Sequence, residues 1–387
     1  MNNTVKFITA TALAISSLSS QAEVRINGFA SIVAGTSMDE DKSLYGYDDT
    51  LSFKPESLFA LQVSSDLGDG LSATSQIIAR GENDYDATFE WAYFSYAISD
   101  STQLSVGRMR IPFYRYSDYL DVGYAYTWVR PPKSVYNLTF STYDGASLLY
   151  TSTMGEWDSS LQLIVGSFEG SVNVLSDDDP AKLSNMYGIN WTVGNYWLTA
   201  RAVYMQADAS ISFVNDPDPT QQLNQFVGLL GAIGATDAAN GLLIEEDDGS
   251  FLGIGVSIDY ENFLIDSEFT RVEVEDTLIA TQNQYYISFA YRFDEWTPYI
   301  SFEHRKDEND DDYSAGLPTD LNLGGGPIDV RAAYQATLIS QETENDVFSV
   351  GARYNFHPSA ALKFDYTKRE RQTSDASVLS VGLDLVF

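Results

Sequence analysis

The stretch Leu379-Ser380-Val381-Gly382-Leu383-Asp384-Leu385-Val386-Phe387 repeats with a period of two. Leu379, Val381, Leu383, Leu385 and Phe387 fall on one face of an extended chain, and Ser380, Gly382 and Asp384 on the other. A helix would scatter these side chains around its circumference, whereas a strand sorts them. Two preceding stretches do the same. Leu362, Phe364 and Tyr366 oppose Lys363, Asp365 and Thr367, and Phe348, Val350, Ala352, Tyr354 and Phe356 oppose Ser349, Gly351, Arg353 and Asn355. One face is large and apolar; the other is small, polar or charged. A soluble barrel would turn the apolar face inward. Charges on the opposite face suit a water-filled lumen with lipid outside.

Working outward, sixteen such segments are readable, near 23–35, 51–66, 71–82, 88–99, 102–109, 144–153, 157–168, 183–193, 196–206, 252–260, 263–273, 283–293, 296–305, 346–356, 360–370 and 377–387. An even number of roughly ten-residue strands is what a single-chain membrane barrel requires. The links alternate. Short ones carry Gly, Asn, Asp or Pro, as in Asp66-Leu67-Gly68-Asp69-Gly70, Gly194-Asn195 and His357-Pro358-Ser359, residues suited to tight turns. The others are mostly long, near 36–50, 110–143, 169–182, 207–251 and 306–345, with short exceptions near 83–87 and 371–376. Short turns on one rim and long loops on the other describe an outer-membrane barrel. Trp157, Phe263, Phe293, Trp296, Phe356 and Phe387 lie beside short turns and predict an aromatic girdle at the periplasmic interface. No run of about 20 apolar residues offers a spanning helix.

The chain has 387 residues, with 22 Lys+Arg against 55 Asp+Glu, a formal net charge of −33 and no Cys. Such a balance repels phosphate backbones and excludes nucleic acid as a partner. The absence of Cys removes disulfides and thiolate chemistry. Residues 1–22 read as a cleaved signal peptide: Lys6, an apolar stretch from Phe7 to Leu18, then Ser20-Gln21-Ala22. Residues 23–387 then form a single barrel domain.

These features resemble the Gram-negative trimeric porins. The matching residues are Glu23-Val24-Arg25-Ile26-Asn27-Gly28 after the signal, the turn Asp66-Leu67-Gly68-Asp69-Gly70-Leu71, the Gly107-Arg108 pair before the longest early loop, Asn355-Phe356-His357-Pro358-Ser359, and Phe387. The resemblance implies an all-β fold, a sixteen-stranded antiparallel transmembrane β-barrel whose long third loop folds into the lumen. It implies a homotrimer in the outer membrane, passive diffusion of small hydrophilic solutes and ions, and Phe387 as a signal read by the barrel-insertion machinery. Loop 110–143 departs from the acidic, Gly-containing motif of many general porins. It reads Arg110-Ile111-Pro112-Phe113-Tyr114-Arg115-Tyr116 and later Val129-Arg130-Pro131-Pro132-Lys133.

Alternation directs Arg25, Arg80, Arg201, Arg292, Arg353 and Lys363 into the lumen, with Asp259, Asp266, Glu268, Glu303, Asp365 and Asp384. A charge facing lipid at mid-membrane would cost about 2–4 kcal/mol. Arg108 and Arg110 have ambiguous parity. The candidate constriction therefore comprises Arg80, Arg108, Arg110, Arg115, Asp118, Asp121, Arg201 and Arg353. Asp118 and Asp121 facing Arg80 or Arg201 across an open eyelet would create a transverse field. The competing reading is a loop whose charges are neutralised locally. The loop's aromatics, among them Phe113, Tyr114, Tyr116, Tyr126, Trp128 and Tyr136, are either a slide for sugars or aromatic solutes or, as we favour, the loop's own small core. Acidic runs in 207–251 and at Asp310-Asp311-Asp312 read as solvated faces, not an EF-hand. No cofactor is expected beyond divalent cations bridging acidic loops to lipopolysaccharide. The two histidines, His304 and His357, fall at opposite ends of the barrel without a nucleophile motif, so no enzyme is expected. Two rival functions remain: a substrate-specific porin using loop 110–143, and a surface receptor or adhesin anchored by the barrel.

Overall fold

The structure, a computed structural model, describes residues 23–175, 179–213, 220–309, 311–322, 326–371 and 374–387. The strands are β1 Glu23–Ser37, β2 Leu58–Gly68, β3 Leu71–Arg80, β4 Ala87–Ser99, β5 Thr102–Arg110, β6 Thr142–Met154, β7 Trp157–Val172, β8 Asp179–Gly194, β9 Leu198–Ile211, β10 Ile244–Tyr260, β11 Phe263–Val274, β12 Thr281–Tyr291 and β13 Trp296–Glu308, then a ribbon of β14 Leu321–Asn322 and β15 Pro327–Ile328, and finally β16 Thr343–His357, β17 Ala360–Arg371 and β18 Ala376–Val386. All except the ribbon close into one barrel of antiparallel neighbours, with β1 pairing to β18. Thus the described residues contain the sixteen barrel strands expected from the periodicity.

Outward-facing residues are large and exposed, for example Phe348, Val350, Leu379 and Val381. Inward-facing Ser380, Asp384, Asp365 and Lys363 are buried. All six predicted girdle aromatics are exposed beside the short turns. Phe387 stacks on Phe59 at a centroid separation of 6.0 Å. Its backbone exchanges two hydrogen bonds with Gly28, of 2.8 and 2.9 Å.

Four boundaries differ from the sequence reading. β2 begins at Leu58, not 51, because Pro55 cannot donate to a ladder, so residues 51–57 belong to the first loop. The stretch 169–182 is not a long loop. β7 and β8 run on to Val172 and from Asp179, each spanning 16 residues. Residues 207–251 include strand ends and two α-helices, α1 Thr220–Ala232 and α2 Thr236–Asn240. In 306–345 a further helix, α3 Val330–Ile339, begins where Asp329 accepts a capping bond from Ala332 N at 2.9 Å. α1 places Leu223 and Leu230 on one apolar stripe, and these pack with Leu242, Leu278, Val330, Tyr334 and Leu338. The three helices and the loop holding Leu278 therefore share one small core over the extracellular rim. No helix among the described residues is long and apolar enough to cross a membrane.

The wall tolerates little added volume at Gly351. A Cβ there would lie 2.3 Å from the Phe364 carbonyl oxygen and 2.5 Å from the Tyr299 ring. Gly351→Ala is expected to destabilise the folded barrel by about 1–3 kcal/mol, measurable by urea unfolding in detergent.

Candidate functional site

The third extracellular loop, residues 111–141, enters the barrel and bonds to inward-facing groups around much of the circumference. Arg201 on β9 donates to the carbonyls of Phe113, at 3.0 Å, and Pro112. Arg353 on β16 donates to the carbonyls of Tyr124 and Tyr126 at 2.7 and 3.0 Å. Lys363 on β17 donates to those of Gly123 and Trp128, each at 2.6 Å, and pairs with Asp384 at 2.9 Å. Glu268 on β11 accepts from the Arg115 backbone at 2.7 Å and from the Tyr136 hydroxyl. Glu303 on β13 accepts from Ser134 N at 2.8 Å. Each loop turn thereby satisfies backbone groups that burial would otherwise leave unpaired.

A second clamp is ionic. The Arg130 guanidinium donates to Glu56 in the first loop at 2.7 and 2.8 Å, to Asp365 at 2.7 Å and to Ser380 at 2.5 Å. The loop's aromatics complete the contact. Phe113, Tyr114, Tyr116, Tyr126, Trp128 and Tyr136 are buried in one cluster with Met186, Val203, Met205, Phe251, Tyr286 and Tyr299 of the wall. The core is therefore shared between loop and barrel, and these rings do not form an open slide.

The proposed eyelet residues separate into distinct roles. Asp121 lies at the centre. It receives Arg80 at 3.0 Å and Arg110 at 2.5 Å, and both arginines also reach Glu90, at 3.0 and 2.8 Å. Burial alone would raise the Asp121 carboxyl, but Arg110 and Arg80 outweigh it and hold it below the ordinary carboxylate range. Glu56 is likewise held low, Arg130 overcoming the effect of burial. Asp118 is exposed, and among the described residues it has no hydrogen-bond or ion-pair partner. Arg115 lies 3.6 Å from Asp266 and stacks over the Tyr116 ring. Arg108 faces the outside of the barrel, paired with Asp144 at 2.7 Å, and is no part of the constriction. Alternation is regular through Gly107, with Val106 and Arg108 exposed, and breaks after Arg108, where Met109 and Arg110 are both buried. Arg201 and Arg353 hold loop carbonyls, and Arg201 is also the opposite charge that acts most strongly on Asp118, without contacting it. Arg25 and Arg292 are exposed and paired with Glu23 and Asp259. Glu56 and Glu90, which the sequence reading did not select, complete the charge clusters. An acid between aromatics, Phe89-Glu90-Trp91, was the visible signal for the second.

Two cavities flank the loop. One, of about 850 Å³ on the extracellular side, is lined by Glu56, Arg80, Glu82, Glu90, Arg110, Asp121, Arg130 and Lys133. The other, of about 490 Å³ on the periplasmic side, is lined by Asn27, Gln62, Gln76, Trp91, Asp118 and Asp121. Asp121 borders both, so the narrow point lies beside β2–β4, while the loop fills the opposite side. Of the histidines, His304 is bound to Asp346 at 2.7 Å on the outer face, and His357 accepts from Ser359 N in a periplasmic turn. Among the described residues no group of three His, Asp or Glu side chains is arranged to hold a metal ion. Asp310 lies outside the described residues.

Removing Arg130 takes the main counter-charge from Glu56 and from buried Asp365. Arg130→Met is expected to loosen the loop by about 3–5 kcal/mol, seen as increased current noise and faster proteolysis within 111–141. The pH dependence has a definite sign. Depressed carboxylates stabilise the clamp fully above their unfolded range and lose that contribution as pH falls through their lower folded values. The contribution of Asp121 and Glu56 is therefore expected to be lost, and conductance to change, as pH falls below about 4, recorded on single channels across a pH series.

The comparisons with known proteins agree with this architecture. The sequence pattern described as Gram-negative porin matches residues 9–317. No curated protein sequence matches the chain. Among solved structures, a loop L8 deletion mutant of OmpT from Vibrio cholerae superposes with a TM-score of 0.58 at 12% identity, over 95% of this chain and 99% of that one. The outer-membrane channel DcaP of Acinetobacter baumannii does so with a TM-score of 0.58 at 12% identity, over 95% and 98%. OmpF of Salmonella typhi gives 0.54 at 15%, over 94% and 97%. At such identities the structures establish the shared fold, and the sequence pattern establishes the kinship: the chain belongs to the Gram-negative porin family and resides in the outer membrane.

Proposed function

We propose that this chain forms a water-filled channel for passive diffusion of small hydrophilic solutes and ions across the outer membrane. The observation that carries this reading is that an extracellular and a periplasmic cavity both border Asp121, the first lined by Arg80, Glu90 and Arg110 and the second by Gln62 and Gln76. These are polar groups able to replace part of a solute's hydration shell. Phe113, Tyr114, Tyr116 and Trp128 are turned into the shared core and border neither cavity, while Tyr119, Tyr126, Tyr136 and Phe140 border these cavities singly among polar groups, which favours a general pore over a continuous solute-specific slide. Charges at the narrow point are paired at contact distance, so their external field is weak. The net charge of −33 then biases the pore toward cations.

The same reading assigns residues 1–22 to a cleaved export signal and Phe387, exposed at the periplasmic rim, to recognition by the barrel-insertion machinery. It assigns the acidic outer loops to lipopolysaccharide through bridging divalent cations. Vibrio cholerae OmpT is described in a trimer form, and a homotrimer is the assembly we assign here.

Single-channel recording in a salt gradient tests the proposal. Linear, non-saturating conductance in three equal steps with mild cation preference is expected. Absence of conductance would leave a surface receptor as the better account. Asp121→Asn is expected to move the reversal potential toward anions, because Arg80 and Arg110 lose one of their two shared counter-charges and keep only Glu90. Asp118→Asn, which removes an unpaired carboxylate, is expected to reduce cation preference without altering loop stability.

A further inference from the structure

A third cavity, of about 280 Å³, lies between loop 111–141 and the wall of β8–β11, outside the charged path. Its wall is formed by Met186, Met205, Ala207, Phe251 and Val272. On the loop side it meets Phe113, Leu138 and Phe140. It adjoins the extracellular vestibule along Asn137–Phe140, which border both spaces.

An apolar lining is opposite to what a water-filled lumen demands. β9 shows where the change occurs. Its lower half turns Ala202 and Tyr204 outward and Arg201 inward. Its upper end turns Gln206, Asp208 and Ser210 outward, while Met205, Ala207 and Ala209 are buried inward. The alternation inverts where the long strands rise beyond the lipid-facing band. Above that level the wall is polar outside and apolar inside, as in a soluble ligand-binding barrel.

We propose that this cavity is a binding site for an uncharged aromatic molecule carrying one oxygen acceptor, such as a carbonyl. An open pocket of this size with a mainly apolar lining suits a small apolar ligand held by a few polar groups. Two methionine sulfurs and three aromatic rings favour an aromatic body. At one edge Gln282 uses its Oε1 to accept from Asn137 at 3.2 Å and Gln284 at 2.9 Å. Among the described residues nothing accepts from Gln282 Nε2 or from Arg305 Nη1, both of which belong to lining residues. Both donors are open to solvent, and an acceptor on the ligand would take the place of water there. Arg305 is already neutralised by Asp307 through its Nε and Nη2 at 2.6–3.0 Å, so the site carries no net charge and selects a neutral oxygen over a carboxylate.

The site is independent of the diffusion reading and is tested without conductance. Protein refolded in detergent, with ¹³C-methyl methionine, is titrated with acetophenone, and with benzoate and glucose as comparisons. The expected result is a saturable shift of the Met186 and Met205 methyl signals, with the loop methionine Met38 unmoved. Benzoate and glucose should produce none. Ala207→Phe, which fills the cavity, should abolish the saturable shift. Ala181→Phe fills it from the neighbouring strand, should either variant fail to fold. Gln282→Glu keeps the acceptor used by Asn137 and Gln284 but removes the donor, and should weaken binding about two- to tenfold. A non-saturating response, shifts shared equally by Met38 or lipid-facing Met154, equal binding of benzoate, or full binding by both filling variants would overturn the proposal. A channel that conducts yet shows no saturable shift would reject the site and leave the pore.

Discussion

In lipid, every backbone N–H and C=O must find a partner within the protein. For a sheet this means that the last strand must meet the first. Here β18 and β1 meet over the register Phe29↔Val386 to Ser37↔Val378, extended by the paired bonds of Gly28 and Phe387. Closure determines much else. Each strand must then present one face to lipid and one to the lumen, turns must be short on one rim, and the enclosed volume must be filled or left wet. The chain does both. Loop 111–141 fills the side of β9–β17, and the polar remainder runs beside β2–β4.

The charges inside follow from the same enclosure. An isolated ion within the barrel loses much of its hydration, so the cations that hold the loop are either paired or surrounded by carbonyls. Arg130, Arg80 and Arg110 take carboxylates, while Arg201 and Arg353 take loop carbonyls and Lys363 takes both kinds. What distinguishes the narrow point from the clamps is exposure of the Asp121 cluster to both cavities. The apolar upper wall is a separate solution, available only where the strands outgrow the bilayer and the outer face meets water.

Much of the barrel was legible because lipid on one side and water on the other impose a strict period of two. The strand count, the alternating loops and the girdle all rest on it. Where that contrast fades, the reading failed. Above the membrane the β7, β8 and β10 strands continue without the expected alternation, and so appeared as loop. The helix α1 left its own period in Leu223, Phe226, Val227 and Leu230, but it is framed by acidic stretches. At the candidate site, residue types were readable and partners were not. Arg130 meets Glu56 and Asp365 across separations of 74 and 235 residues, and the break in alternation at Met109 and Arg110 leaves the faces of Arg108 and Arg110 unreadable from the pattern.

Those separations also bear on the order in which the barrel is made. The loop's holding groups lie mostly on later strands: Glu268, Glu303, Arg353, Lys363, Asp365 and Ser380. Arg130 and Ser380 are 250 residues apart. While the early hairpins form, the loop has few of its final partners, and its ordering entropy cannot yet be offset. Locking of the loop therefore belongs to the last stage of folding, coincident with arrival of β16–β18. An intermediate with an open seam would have a wide, unobstructed lumen, and narrowing of the pore would itself report that the barrel had closed.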